Sequence, residues 1–194
     1  MNQNQSRNYK KYNSKNPFMG IVIANFMKNL KETVAPLEDI NNIIDIGCGE
    51  GFVINNLDFP NTTGIDISRS AIKIAKKKNP DCNLCSGSIY NISFKEKSFD
   101  LVIATEVLEH LERPELALKE IRRITKNYCI LSVPNEPYFC AMNFLRGKNL
   151  IRFGNDIEHV QNWSSGNFVR LLETYFEVLE VRKPFPWTMV LCKK

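Results

Sequence analysis

Histidine is nearly absent from this chain, with two in 194 residues, and tryptophan is as scarce at two. Long apolar runs are missing as well. None approaches the ~20 residues that a membrane-spanning helix needs. The opening Met1-Asn2-Gln3-Asn4-Gln5 lacks the apolar core of a secretory signal, which argues against export and predicts a cytoplasmic protein. Residues 1–16 hold no acid, yet they carry Arg7, Lys10, Lys11 and Lys15. This arm therefore accounts for +4 of the net +5 and leaves the rest of the chain near neutral. Such an arm reads as a solvated, flexible terminus that can also touch an anionic partner. Zinc-type cysteine pairs are missing too. Of six cysteines (48, 82, 85, 129, 140 and 192), only Cys82 and Cys85 form a C-x-x-C, with no second pair and no helix start beside it. Buried, reduced core thiols are the reading that fits.

What is present is a regular alternation. Residues 17–194 suffice for one domain with a full core and leave no room for a second. After Pro17, Phe18, Val22, Phe26 and Leu30, flanked by Met19, Ile23 and Met27, recur at helical spacing. Apolar strands are expected at 42–46, 62–66, 82–86, 99–104 and 127–133, with helices at 51–57, 69–78 and 107–125, and Ser68 as an N-cap. A helix at 165–174, a strand at 176–182, the turn Pro184-Phe185-Pro186 and a strand at 187–193 close the pattern. This predicts an α/β fold: a doubly wound, mostly parallel sheet with helices on both faces, ending in an antiparallel pair. About 29 residues, 134–162, fill a connection that needs only a few. The segment leaves the fifth strand at its carboxyl end, where ligands bind in such sheets. Within it, 137–147 reads as an apolar helix stopped by Gly147, followed by Lys148 and Arg152, with Arg146 in its last turn. The insertion is therefore expected to act as a lid that selects a substrate.

Chemistry concentrates at the first two strand ends. Ile43-Ile44-Asp45-Ile46-Gly47-Cys48-Gly49-Glu50-Gly51 is a buried strand running into a glycine turn, and 21 positions after Asp45 the strand Thr63-Gly64-Ile65-Asp66 also ends in an acid. Glycines let backbone N–H groups approach a ligand, and an acid about 20 residues on suits a ribose diol. A dinucleotide fingerprint wants Gly-x-Gly-x-x-Gly, and a carboxylate at Asp45 would repel a pyrophosphate. It would instead hold the ammonium of an amino-acid-bearing nucleoside. "DIGCGEG", "GIDIS" and "FDLVIATEVLEHL" resemble, in order and spacing, the motifs of class I S-adenosylmethionine-dependent methyltransferases, and the resemblance runs from about Pro17 to the C-terminus.

That resemblance implies a seven-stranded Rossmann-like sheet with S-adenosylmethionine as cofactor. Asp45, Gly47, Cys48 and Gly49 would surround its methionine part and Asp66 its ribose hydroxyls. Ile67, Ser88, Ile89 and Thr105 would complete the site. Many relatives have Gly-Asp-Ala after the third strand where this chain has Gly87-Ser88-Ile89, so a hydroxyl replaces a carboxylate at the adenine. In many relatives the segment before the first strand folds over the cofactor, which here falls on Tyr12 to Phe18.

Both histidines lie in acidic company. Glu106, Glu109 and His110 follow the fourth strand at i, i+3 and i+4, one face of a helical turn, and His159 ends Asp156-Ile157-Glu158-His159. Two carboxylates and two imidazoles suit a divalent ion such as Mn²⁺, Fe²⁺ or Zn²⁺. The Glu-x-x-Glu-His pattern with a later His, Trp163 and Phe168 resembles the metal site of enzymes that 2′-O-methylate small RNAs. It also resembles quinone-biosynthesis O-methyltransferases and class I enzymes without a metal. His110, His159 and Glu106 are the expected catalytic groups, with a hydroxyl as acceptor, on a small molecule, on a quinone precursor or on RNA. Peripheral membrane contact through the apolar helix of the insertion is a further expectation. An inactive S-adenosylmethionine-binding subunit and a nicotinamide oxidoreductase are the rivals, the latter opposed by Asp45 and the glycine spacing.

Overall fold

The computed structural model describes residues 17–145, 156 and 159–194. The arm 1–16 with Tyr12 lies outside those residues, as do Arg146, Gly147, Lys148, Arg152, Ile157 and Glu158 of the insertion. The described chain runs α1 (Pro17–Val34), β1 (Ile43–Ile46), α2 (Phe52–Leu57), β2 (Thr62–Asp66), α3 (Arg69–Lys78), β3 (Asn83–Ser86) and β4 (Phe99–Thr105). It continues through a 3-10 turn (Leu108–His110), α4 (Pro114–Ile124), β5 (Thr125–Pro134), α5 (Tyr138–Leu145), α6 (Ser165–Glu173), β6 (Glu177–Arg182) and β7 (Trp187–Lys193).

The seven strands form one sheet in the order β3-β2-β1-β4-β5-β7-β6. The first five are parallel, and β7 enters antiparallel between β5 and β6. Every residue of β1 and β4 is buried, as expected where helices cover both faces. Ile44, Ile46, Val102 and Ala104 pack on the side of α4 and α6, where Phe168 is fully buried. Ile43, Leu101 and Ile103 pack on the side of α1 with Phe26 and Trp187. The chain winds outward from β1 in one direction and from β4 in the other. The crevice between their carboxyl ends is therefore the topological switch point at which this architecture binds ligands.

Three expectations change. The helix expected at 107–125 is two pieces, because Pro114 starts a helix rather than continuing one. Its ring restricts Arg113, which lies outside helical conformation, and its missing N–H is harmless only in a first turn. In α1 the buried stripe is Met19, Val22, Ile23, Phe26, Met27, Leu30 and Val34, while Phe18 is 47% exposed. Steps of four residues drift about 40° around a helix, so a residue three steps back falls off the stripe. The helix expected from Gly51 begins at Phe52, since Gly51 is left-handed and serves as its N-cap.

The insertion is clamped where it is described. Asn135 pairs with Trp163 as an isolated parallel bridge, and the Glu136 N–H donates to the Trp163 carbonyl at 2.9 Å. The Ser165 N–H donates to Asn135 Oδ1 at 3.0 Å. Phe139 and Met142 of α5 are buried, and Tyr138 and Phe144 are exposed. Among the described residues no helix is long and apolar enough to cross a membrane.

Candidate cofactor cleft and acceptor cluster

The glycine loop is stitched to the neighbouring strand. The N–H groups of Gly47 and Cys48 both donate to the Ile65 carbonyl, at 2.8 and 3.0 Å, and the Gly49 N–H donates to Asp66 Oδ2 at 2.8 Å. Ser68 N–H fixes the other oxygen, Asp66 Oδ1, at 2.7 Å. Asp66 is thus held rigidly by two charge-assisted bonds, with lone pairs remaining for a ligand. Gly47 has φ of +71°, and a Cβ there would lie 2.4 Å from Val107 Cγ2, so only glycine lets the loop settle on the end of β4. Gly64 faces Asp45 across the β1–β2 ladder, and a Cβ on it would meet Leu84, Ile54 and Cys48 at 2.6 to 2.9 Å.

Asp45 is 2% exposed and its Oδ2 has no hydrogen-bond partner. Burial, with help from the Asp66 charge, pushes its carboxyl up to about 8. A lone buried carboxylate oxygen is costly unless a cation or donor reaches it. The ammonium of S-adenosylmethionine would supply that partner. Ile67, beside Asp66, is 81% exposed and offers an apolar platform at the mouth of the cleft. Ser88 Oγ accepts from the Tyr90 N–H at 3.2 Å and keeps its own hydroxyl proton to donate. The Gly87 N–H ties this turn to the Asp66 carbonyl. Ile89 leans on the core, and the Cys48 side chain packs with Ile54, Ile72, Ala75 and Leu84, which leaves Cys48 only its backbone to offer. All six cysteines are free thiols.

The second cluster begins where β4 ends. Thr105 is buried, and Glu106 adopts φ of +60° with its N–H on the Ser132 carbonyl. A left-handed glutamate is strained by roughly 1–3 kcal/mol. The 3-10 turn then carries Glu109, 1% exposed, and His110, whose Nε2 is 4.0 Å from Glu109 Oε1. His159 arrives from the insertion with its ring 5.1 Å from that of His110 and 5.2 Å from that of Phe139. Ligand atoms of Glu109, His110 and His159 all lie within 4.8 Å of one another, and Glu106 falls outside this group. The main chain sets the meeting: the N–H groups of Val160 and Gln161 both donate to the Glu109 carbonyl, at 2.9 and 3.0 Å. Burial and the nearby His110 hold His159 below the usual histidine range, against the opposing pull of Glu106, Asp156 and Glu136.

Glu136 was not among the residues that the sequence singled out. It lies two residues past the end of β5, its Oε2 accepts from the Cys140 N–H at 3.1 Å, and its buried Oε1 has no hydrogen-bond partner. An acid just past Pro134-Asn135, at the carboxyl end of a parallel strand, was the available signal.

Comparison with known proteins bears on the domain and its fold. The methyltransferase domain family model matches residues 44–133. The ubiquinone biosynthesis O-methyltransferase of Rickettsia bellii is 32% identical over 117 residues, covering 56% of this chain and 48% of that protein. The mitochondrial ubiquinone biosynthesis O-methyltransferase of Dictyostelium discoideum is 26% identical over 188 residues, covering 84% and 58%. Across curated relatives the match spans from 36% to 58% of their length. Magnesium protoporphyrin IX methyltransferase of Synechocystis, solved with bound SAH, superposes with a TM-score of 0.71 at 16% identity, covering 97% of this chain and 93% of that one. At that identity the likeness speaks for the fold alone. The family match marks a methyltransferase domain at residues 44–133, and the motifs and sheet order around it resemble those of class I S-adenosylmethionine-dependent methyltransferases.

Proposed function

We propose that the chain transfers a methyl group from S-adenosylmethionine to a hydroxyl oxygen of an acceptor bound at the Glu109–His110–His159 cluster. The observation that carries this reading is the convergence of both histidines of the chain beside one buried glutamate, at the end of β4 next to the glycine loop. S-adenosylmethionine brings a methyl group on a positively charged sulfur, and Asp45, Gly47, Gly49 and Asp66 are the residues that would hold it. What the protein must add is alignment, exclusion of water and a place for the acceptor's proton. When bound, the cofactor would supply the methyl group and keep the electron pair of its carbon–sulfur bond on sulfur, and the proton of the acceptor hydroxyl would pass to His159. Its lowered pKa keeps the imidazole neutral and proton-accepting at neutral pH. Glu109 and His110, each with a polar atom within 4.8 Å of one on His159, complete the polar group that would orient the acceptor.

A second reading concerns a divalent ion. One carboxylate and two imidazoles within 4.8 Å form a mixed oxygen–nitrogen donor set that suits Mn²⁺, Fe²⁺ or Zn²⁺. Glu109, His110 and His159 would hold such an ion, which would lower the pKa of the acceptor hydroxyl.

Transfer of labelled methyl to a panel of phenolic small molecules, quinone precursors and RNA, with and without chelator, tests both readings. Labelling of a hydroxyl acceptor that is lost in His159→Ala is expected. Sensitivity to chelator, restored by Mn²⁺, selects the metal reading. Binding of S-adenosylmethionine by isothermal titration without transfer to any hydroxyl would overturn the proposal.

A further inference from the structure

We propose that the outer face of α3 is a docking surface for the phosphate backbone of a single-stranded nucleic acid. The segment Arg69-Ser70-Ala71-Ile72-Lys73-Ile74-Ala75-Lys76-Lys77-Lys78 holds five cations and no acid, so the remainder of residues 17–194 is net negative. A near-neutral total thus hides a strong polarity, and the field of the domain directs an anion to this helix. Ala71, Ile72 and Ala75 pack inward, and the helical period gathers Arg69, Lys73, Lys76 and Lys77 into one exposed stripe on the side away from them. At 1.5 Å per residue the stripe is about 12 Å long. Among the described residues none of these four is ion-paired.

Helix energetics account for only part of this. Lysines in the last turn are favoured by the macrodipole, but Arg69 is the first helical residue, where a cation is disfavoured, and the first turn itself holds no acid. The stripe also begins at the cleft, because Ser68, which caps α3, is the residue whose N–H grips Asp66. A single line of cations tracks one strand rather than two. A lipid surface would need an exposed apolar face along the helix, whereas Ala71, Ile72 and Ala75 are buried and Ile74 is half-buried, and the exposed Ile67 lies before the helix at the cleft. The surface stands beside the proposed chemistry rather than on it, since docking is read without methyl transfer.

Fluorescence anisotropy of a labelled, mixed-sequence single-stranded RNA of about 12 nucleotides, titrated with the full chain across a salt series, tests this. Four neutralised phosphates give a slope of about −2.8 in log K against log salt, or about 50-fold weaker binding at 200 than at 50 mM. Lys73→Gln/Lys77→Gln, two exposed changes on the stripe, should halve the slope to about −1.4 and cut the salt effect to about 7-fold. Equal slopes for the two proteins would assign the binding elsewhere, for instance to the basic arm, and overturn the proposal. So would absence of binding by the wild type at 50 mM salt, or α3-dependent binding to phosphatidylglycerol vesicles but not to RNA.

Discussion

Replacing Asp45 with asparagine separates the cost of a buried charge from its use. The carboxyl moves from an ordinary 3.8 to about 8 in the fold, so the native state holds its proton more tightly than the unfolded chain does. With that sign, the contribution of Asp45 to stability is greatest at low pH and is lost as the pH rises from about 4 to about 8. The loss is about 1.4 kcal/mol per pH unit, approaching about 6 kcal/mol in total. Asparagine keeps the shape and removes the titration. Urea unfolding of both proteins at pH 5, 6, 7 and 8, without cofactor, should show Asp45→Asn gaining on the wild type by about that slope. Binding should show the opposite. Near pH 7 the free carboxyl is about nine-tenths protonated, so uptake of an ammonium group must expel close to one proton. Calorimetry in buffers of different ionisation enthalpy reads that proton directly. The variant should expel none and bind S-adenosylmethionine more weakly by about 3–5 kcal/mol. A stability difference that stays flat with pH, or equal affinities with equal proton release, would refute the assignment of Asp45 as the partner of the cofactor's charged head.

Other substitutions probe packing and the acceptor cluster. Gly64→Ala forces a methyl against Leu84, Ile54 and Cys48 and should lower stability by about 1–3 kcal/mol in urea unfolding. Phe168→Ala empties a fully buried site between α6 and the sheet, and should cost about 3–5 kcal/mol by the same measurement. His159→Ala should reduce turnover of a labelled hydroxyl acceptor by about 10²–10⁴, with affinity for S-adenosylmethionine unchanged by titration. In the wild type, kcat/KM should fall on an acid limb below the ordinary histidine range, since burial and His110 lower the pKa of His159. An acid limb above that range would remove His159 as the base.

The sheet was legible because strands buried on both faces leave uninterrupted apolar runs, as at Ile43–Ile46 and Phe99–Thr105. The first two strand ends were legible because glycines and acids there have few other reasons to recur at that spacing. The acceptor side was legible only in part. Glu106, Glu109 and His110 were expected on one helical turn, yet the chain reverses through a left-handed Glu106 and a 3-10 turn, which brings Glu109 and His110 to His159 and leaves Glu106 outside. Pro114 was the local signal that the helix could not extend back to 107. Glu136 was missed because what sets it apart is a buried oxygen without a hydrogen-bond partner, and pattern does not encode that. The polarity of α3 was concealed by summing charge over the domain instead of over one helical face.

The carbonyl of Glu109 receives two N–H groups from the insertion, and Asn135 joins its far stem to Trp163. Registration of His159 against His110 is therefore written into main-chain bonds that any side chains can make. Side chains of the intervening segment are in that respect free to change without parting the two rings. On the proposed function, such a frame would let one stretch of surface set the choice of acceptor while the two imidazoles stay aligned.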